Sequence, residues 1–153
     1  IWGDQMINAK QDPKCADIVQ DKFNDTEADY RSAREFFEDY DQQTEGGKIA
    51  LEVLAKDQGT YYHEYDGMFD YINQTALSWD YVDSEGREAG YYRLQLSWGG
   101  PSDEFRIYVD QDKDIDVIEY WFMDWFDGAS VMVPKDSESW NVCDEFLECE
   151  RWS

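Results

Sequence analysis

The chain has 153 residues, with 36 Asp and Glu against 13 Lys and Arg, a formal net charge of −23. Low hydropathy with high charge usually marks disorder, but seven Trp, eleven Tyr and eight Phe are what acidic tails lack, so a folded domain with an aromatic core is expected. No apolar run approaches the roughly 20 residues that span a bilayer, and Ile1-Trp2-Gly3-Asp4 lacks the basic and apolar parts of a signal peptide. A single domain over 1–153 in the cytoplasm is the expectation.

Chain order predicts helices first. Asp12-Pro13 offers an N-cap with proline at the first helical position, opening a helix to about Phe23 through Ala16, Ile18 and Val19. Thr26-Glu27-Ala28-Asp29 reads as a second start, with Tyr30, Ala33, Phe36, Phe37 and Tyr40 at helical spacing. Gly46-Gly47 is expected to break the chain before a third helix over 48–57, which would pack Ile49, Val53 and Leu54. The helical part thus covers about 12–57.

The period then changes to that of strands. Segments 75–82, 91–98, 105–109, 116–126 and 129–133 read as an antiparallel meander of four to five strands. The sheet part covers about 75–133. Asp83-Ser84-Glu85-Gly86, Gly99-Gly100-Pro101 and Asp127-Gly128 supply turns, the last as a strong hairpin dipeptide. Over 137–150 a terminal helix carries Trp140, Val142, Cys143, Phe146 and Leu147. Helices, then strands, then a helix give an α+β fold class.

Catalytic and metal signatures are weak. Asp110-Gln111-Asp112-Lys113-Asp114-Ile115-Asp116 begins like a calcium loop, but Ile115 stands where an EF-hand needs Gly and Trp121 where it needs Glu. Asp124 with Asp127, or Glu119 with Asp124, match a glycosidase pair only because 36 acids guarantee pairs at any spacing. His63 is the single histidine and has no accompanying nucleophile or phosphate-loop motif. No enzyme activity, no cofactor and no metal ion are expected. Cys15, Cys143 and Cys149 are an odd number and make no disulfide framework, which fits a reducing compartment. Asn24-Asp25-Thr26 and Asn73-Gln74-Thr75 match the glycosylation sequon, a chance match in a chain with no other sign of secretion.

The charge itself is the strongest functional signal. Duplex DNA carries one charge per about 1.7 Å of axis, so −23 equals about 39 Å of duplex. A compact chain of 153 residues has a radius of gyration of about 15 Å and hence a diameter of about 40 Å. Asp17, Asp21 and Asp25, and again Asp144 and Glu148, repeat at about 6 Å of helical rise. Glu145 lies between the last two. Asp110, Asp112, Asp114 and Asp116 repeat at about 6.6 Å along an extended tip. These steps match the spacing of successive phosphates, and only Lys22 and Lys113 interrupt the rows. A halophile's acidic surface is the bland alternative, but seven Trp are too much bulky apolar content for it. Trp121, Trp125 and Phe126 are expected to be mostly core, an exposed subset serving as anchors for a protein partner. Direct nucleic-acid binding is disfavoured in such a field.

Leu94-Gln95-Leu96-Ser97-Trp98-Gly99-Gly100-Pro101, followed by Ile118-Glu119-Tyr120 through Asp124-Trp125-Phe126-Asp127-Gly128, resembles small uncharacterised acidic proteins of phages and plasmids. There a strand ending in Gly-Gly-Pro precedes one ending in Asp-Trp. The resemblance covers residues 90–133 and brings no catalytic residues. It implies a mobile-element setting, in which anti-restriction and anti-CRISPR proteins that mimic DNA are common. The expectation is therefore an inhibitor that blocks a basic nucleic-acid-binding complex of the host, a CRISPR effector or a restriction enzyme. Asp110, Asp112, Asp114 and Asp116 would lead the contact, with Asp17, Asp21, Asp25, Asp144, Glu145 and Glu148 behind them. The alternatives are an immunity protein against a basic nuclease toxin and a calcium- or ligand-binding module.

Overall fold

A computed structural model describes residues 14–84 and 89–151. Its elements run α1 (Cys15–Asp41), α2 (Glu45–Asp57), a short 3₁₀ turn (Tyr62–Glu64), α3 (Met68–Thr75), β1 (Ser78–Val82), β2 (Tyr91–Ser97), β3 (Ser102–Val109), β4 (Ile115–Asp124), β5 (Asp127–Met132) and α4 (Glu138–Arg151). The strands form one antiparallel sheet in the order β1-β2-β3-β4-β5. The architecture is α+β, as the sequence order of elements predicts. The Asp12-Pro13 cap and residues Glu85 and Gly86 of the first expected turn lie outside the described residues.

Where two helices are expected, one helix of 27 residues runs through. Val19, Phe23, Tyr30, Ala33 and Phe37 are all buried, and half-buried Thr26 fills the gap in the same 4-3-4-3-4 rhythm. Burial of that unbroken stripe outweighs the capping preference of Thr26, because tertiary packing overrides local propensity. The Gly46-Gly47 pair is not a break either. It lies in the first turn of α2, where the Thr44 hydroxyl accepts the N–H of Gly47 at 3.2 Å. Only Ala55 of α2 is buried, whereas Ile49, Val53 and Leu54 are exposed, contrary to the expected packing. α2 turns its Leu51 and Ala55 side towards Phe36 of α1 and leaves the other side open.

α3 is not anticipated by the sequence reading, and it ends at Thr75, where a strand is expected to start. Met68 and Ile72 give this short helix a buried face, and the Thr75 hydroxyl donates to the carbonyl of Tyr71 at 2.6 Å. The strand proper begins at Ser78.

α1 and α4 cover one sheet face. Leu94, Phe105, Ile107, Ile118 and Tyr120 on that face are fully buried, and each such side chain removed from water is worth about 1.5–3 kcal/mol. Phe23 meets Tyr120 with ring centroids at 5.7 Å, Tyr30 meets Phe105 at 6.3 Å, and Phe146 of α4 meets Trp79 at 5.4 Å. The opposite face carries a charged cross-strand row, Asp80, Arg93, Arg106 and Glu119. Arg93 and Arg106 stand directly opposite each other, a costly arrangement that their neighbours offset. Arg93 donates twice to Asp80, at 3.0 and 2.7 Å. Arg106 donates to buried Glu104 at 2.9 Å and lies 4.1 Å from the centroid of Trp121.

The last hairpin is displaced from its expected turn. Trp125-Phe126, not Asp127-Gly128, forms the two-residue loop, and Asp124 pairs with Asp127. This register sets Val131 opposite Tyr120 and Ala129 opposite Phe122 on the covered face. A loop at Asp127-Gly128 would have set Lys135 opposite Tyr120. A Cβ on Gly128 would lie 3.3 Å from Cγ of Met123, a tight contact with a flexible side chain.

Candidate protein-binding surface

The solvent side of α1 is the longest acidic feature. At 3.6 residues per turn, Asp17, Asp21, Asp25, Glu35 and Asp39 fall within about 80° of one another, opposite the buried stripe, and all five are exposed. From Asp17 to Asp39 the rise is about 33 Å. Exposed Ala28 and Ser32 separate an N-terminal group, Asp17, Asp21 and Asp25, from a C-terminal one. The continuity of α1 makes this one ridge; two separate helices would have pointed the groups independently.

The cations of α1 are turned to other work. Lys22 lies 5.7 Å from the ring centroid of Phe122 on the sheet. Arg31 pairs with Glu27 at 2.6 Å. Arg34 donates to Glu138 and to Glu145 of α4, both at 2.6 Å. Glu27 meanwhile caps α4, accepting the N–H of Glu138 at 3.0 Å, the N–H of Ser139 at 2.8 Å and the Ser139 hydroxyl at 2.7 Å. Burial pushes the Glu27 carboxyl up, but the donors from Ser139 and Glu138, with Arg31, outweigh it and hold the group below its usual range. Of the α4 acids named from sequence, Glu145 is thus committed to Arg34, and Asp144 and Glu148 are only half exposed. They do not join the ridge.

Beside the N-terminal half of the ridge lies a cleft of about 300 Å³ whose lining includes Asp25, Asp29, Asp103, Tyr30 and Tyr71, with no Lys or Arg. Tyr62 and Tyr71 both donate to Asp29, at 2.8 and 2.7 Å, and Tyr120 donates to Asp103 at 2.6 Å. Burial first, and then these carboxylates, push all three phenols well up, so they stay protonated donors.

The tip between β3 and β4 lies at the end of the sheet away from the start of α1. There the Asp110 carboxylate accepts the N–H groups of Asp112 and Asp114 at 2.9 and 3.0 Å, and Lys113 takes a φ of 63°. One carboxylate oxygen each from Asp110, Asp112 and Asp114 can gather within 4.8 Å, all three residues being exposed. Asp116 does not continue this row. The β3–β4 register slips at Tyr108 and Val109, leaving Asp116 as the extra residue of a bulge. The structure therefore separates the acids named from sequence into a helix ridge, a hairpin tip and the α4 seam.

The other end of the sheet is aromatic. Trp98 in the β2–β3 loop is 77% exposed, and Trp125 and Phe126 in the β4–β5 loop are 86% and 104% exposed. Trp121, by contrast, is half-buried under Arg106. Trp125 has a φ of 56°, at a loop position normally taken by Gly. For a bulky side chain this left-handed conformation costs about 1–2 kcal/mol. A cavity of about 560 Å³ opens beside Trp98 and Trp125, with Arg93, Ser102, Glu104 and Arg106 among its walls. Asp127 accepts the N–H of Cys15 at 2.8 Å. That bond chiefly holds the Asp127 carboxyl below its usual range and pins the start of α1 to this loop. The run of aromatics is visible in the sequence, but which of them stand in solvent depends on the hairpin register.

Asp124 and Asp127 face each other across the loop, with Asp127 engaged by Cys15. The Nδ1 of His63 is buried without a hydrogen-bond partner among the described residues. Cys15, Cys143 and Cys149 are free thiols, and burial pushes the first two up. Among the described residues no helix is long and apolar enough to cross a membrane. No family model, no curated protein and no solved structure matches this chain.

Proposed function

We propose that the protein is an acidic inhibitor that mimics the charge of nucleic acid and occupies the basic channel of a host nucleic-acid-binding defence complex. A CRISPR effector or a restriction enzyme is the intended class of partner, met in the cytoplasm of a cell that hosts a phage or plasmid. The observation that carries this reading is the α1 ridge: exposed carboxylates over about 33 Å of one continuous helix, with Lys22, Arg31 and Arg34 drawn to Phe122, Glu27 and α4. Asp17, Asp21 and Asp25 lead the contact, and the Asp110–Asp114 tip is a second acidic patch. Release of counterions from the partner's Lys/Arg-lined channel supplies affinity and makes it salt-dependent, while opposite fields speed encounter.

The test is capture from a bacterial lysate with the protein as bait, washed at low and then high salt. A nuclease or nucleic-acid-binding complex released by salt and displaced by duplex DNA is the expected result. Recovery of no such protein overturns the reading. The gathering of Asp110, Asp112 and Asp114 carboxylates favours cation binding as a second reading. Stabilisation by micromolar calcium would support it, since a ligand bound to the folded state raises Tm by mass action.

A further inference from the structure

We infer that the aromatic end of the sheet, Trp98 with Trp125 and Phe126, is the specific seat of the protein partner, and that it fits an apolar pocket ringed by Lys and Arg. The inference rests on the reading of the partner as a basic nucleic-acid-binding protein and names where that partner is held. Acidic rows steer a basic surface into place and help set its register, but add less to affinity. Specific interfaces depend on a few desolvated aromatic anchors surrounded by a polar rim.

Three observations converge on this end. Register places the β2–β3 and β4–β5 loops side by side, because Ser102 pairs with Met123; a Cβ on Gly100 would lie 3.7 Å from the Trp125 indole. The three aromatics are displayed to solvent, and Trp125 holds a backbone conformation that Gly would adopt without strain. Local strain of this kind clusters at functional positions. The rim is acidic: Asp124 and Asp127 flank the loop, and the Cys15–Asp127 bond brings the start of the ridge, with Asp17, to the same end.

Charge selects the occupant. A second copy would set acidic rim against acidic rim on chains of −23 each. An anionic membrane or a nucleic acid would meet the same repulsion. A basic protein surface is drawn in, and its apolar pocket takes the rings. The Asp110–Asp114 tip, at the other end of the sheet, has charge but, among the described residues, no exposed Trp or Phe beside it.

The experiment uses full chains as baits: wild type, Trp98→Ser with Phe126→Ser, Trp125→Gly, and Asp112→Asn with Asp114→Asn. Captured proteins are identified, those displaced by duplex DNA are purified, and Kd is measured at two salt concentrations. Thermal melts accompany each bait, and the exposed positions leave the fold intact. The Trp98/Phe126 variant is expected to bind about 30-fold or more weakly, with the salt slope unchanged because no charge is removed. Trp125→Gly also weakens binding, while its Tm equals or exceeds that of wild type. The tip variant stays within about threefold of wild type at the higher salt. Wild-type affinity in the Trp98/Phe126 variant overturns the inference alone. Failure of the wild-type bait to capture any DNA-displaced protein overturns both the function and the seat.

Discussion

The two sides of α1 are both acidic, yet they have opposite consequences. Towards α4, Glu27 meets the amide end of that helix, and Glu138 and Glu145 share Arg34. These carboxylates are structural: their charge is matched by donors that the fold brings from more than 100 residues away. Towards solvent, Asp21, Asp25 and Glu35 are displayed, while the helix's own cations point elsewhere. Acid content alone therefore identifies no surface. What distinguishes a displayed acid from a working one is whether a donor is delivered to it.

Removing a working acid has the largest expected effect on stability. Glu27→Ala strips the acceptor from two backbone amides and the buried Ser139 hydroxyl, and an unsatisfied buried donor costs about 1–3 kcal/mol. Chemical denaturation reads this directly, with Glu27→Gln expected to lose less. A loss below that of a typical surface substitution would erase the contrast between the two sides.

At the tip, Asp110 is a working acid within its own loop, and Asp110→Ala is expected to lower stability by about 0.5–1.5 kcal/mol, the net worth of a hydrogen bond. Asp110→Asn keeps an acceptor and should recover most of it. Equal melting of the two variants would show that the loop does not depend on that side chain.

pH reports on the working acids. The folded value of Glu27 is lowered, so its contribution is fully present above the unfolded value near 4.5 and is lost as pH falls through the lowered folded value. Asp127 behaves likewise, chiefly because of the Cys15 amide. Tm is expected to fall as pH drops below the ordinary carboxylate range, less steeply in Glu27→Gln than in wild type. Equal slopes in the two would show that Glu27 does not carry the acid limb.

The smallest effect belongs to the ridge itself. Asp21→Asn with Asp25→Asn should raise stability by about a few tenths of a kcal/mol at low ionic strength, and the gain should shrink as salt is raised to about 0.15 M, where the Debye length is about 8 Å. The same variant should flatten the salt dependence of partner binding. An unchanged salt slope would remove Asp21 and Asp25 from the contact.

Much of the fold is legible from local pattern. The order of helices, strands and terminal helix follows from the change of hydrophobic period, and Val142, Cys143, Phe146 and Leu147 are buried as their spacing predicts. Thr26 and the Gly46-Gly47 pair mislead because their local preferences are worth less than the packing of the stripe from Val19 to Phe37 and the cap at Thr44. Asp127-Gly128 misleads for a related reason: Val131 must meet Tyr120, and that long-range pairing sets the loop two residues earlier. Ile49, Val53 and Leu54 show the converse, an apolar pattern on α2 that finds nothing to cover it among the described residues.

By itself the sequence determined the net charge, the aromatic supply and the class of fold, because these are sums and periodicities carried along the chain. Only the tertiary structure decided which acids acquire donors, that the acids of α1 form one ridge, and that Trp98, Trp125 and Phe126 stand together in solvent. Those outcomes depend on register and on contacts between distant segments.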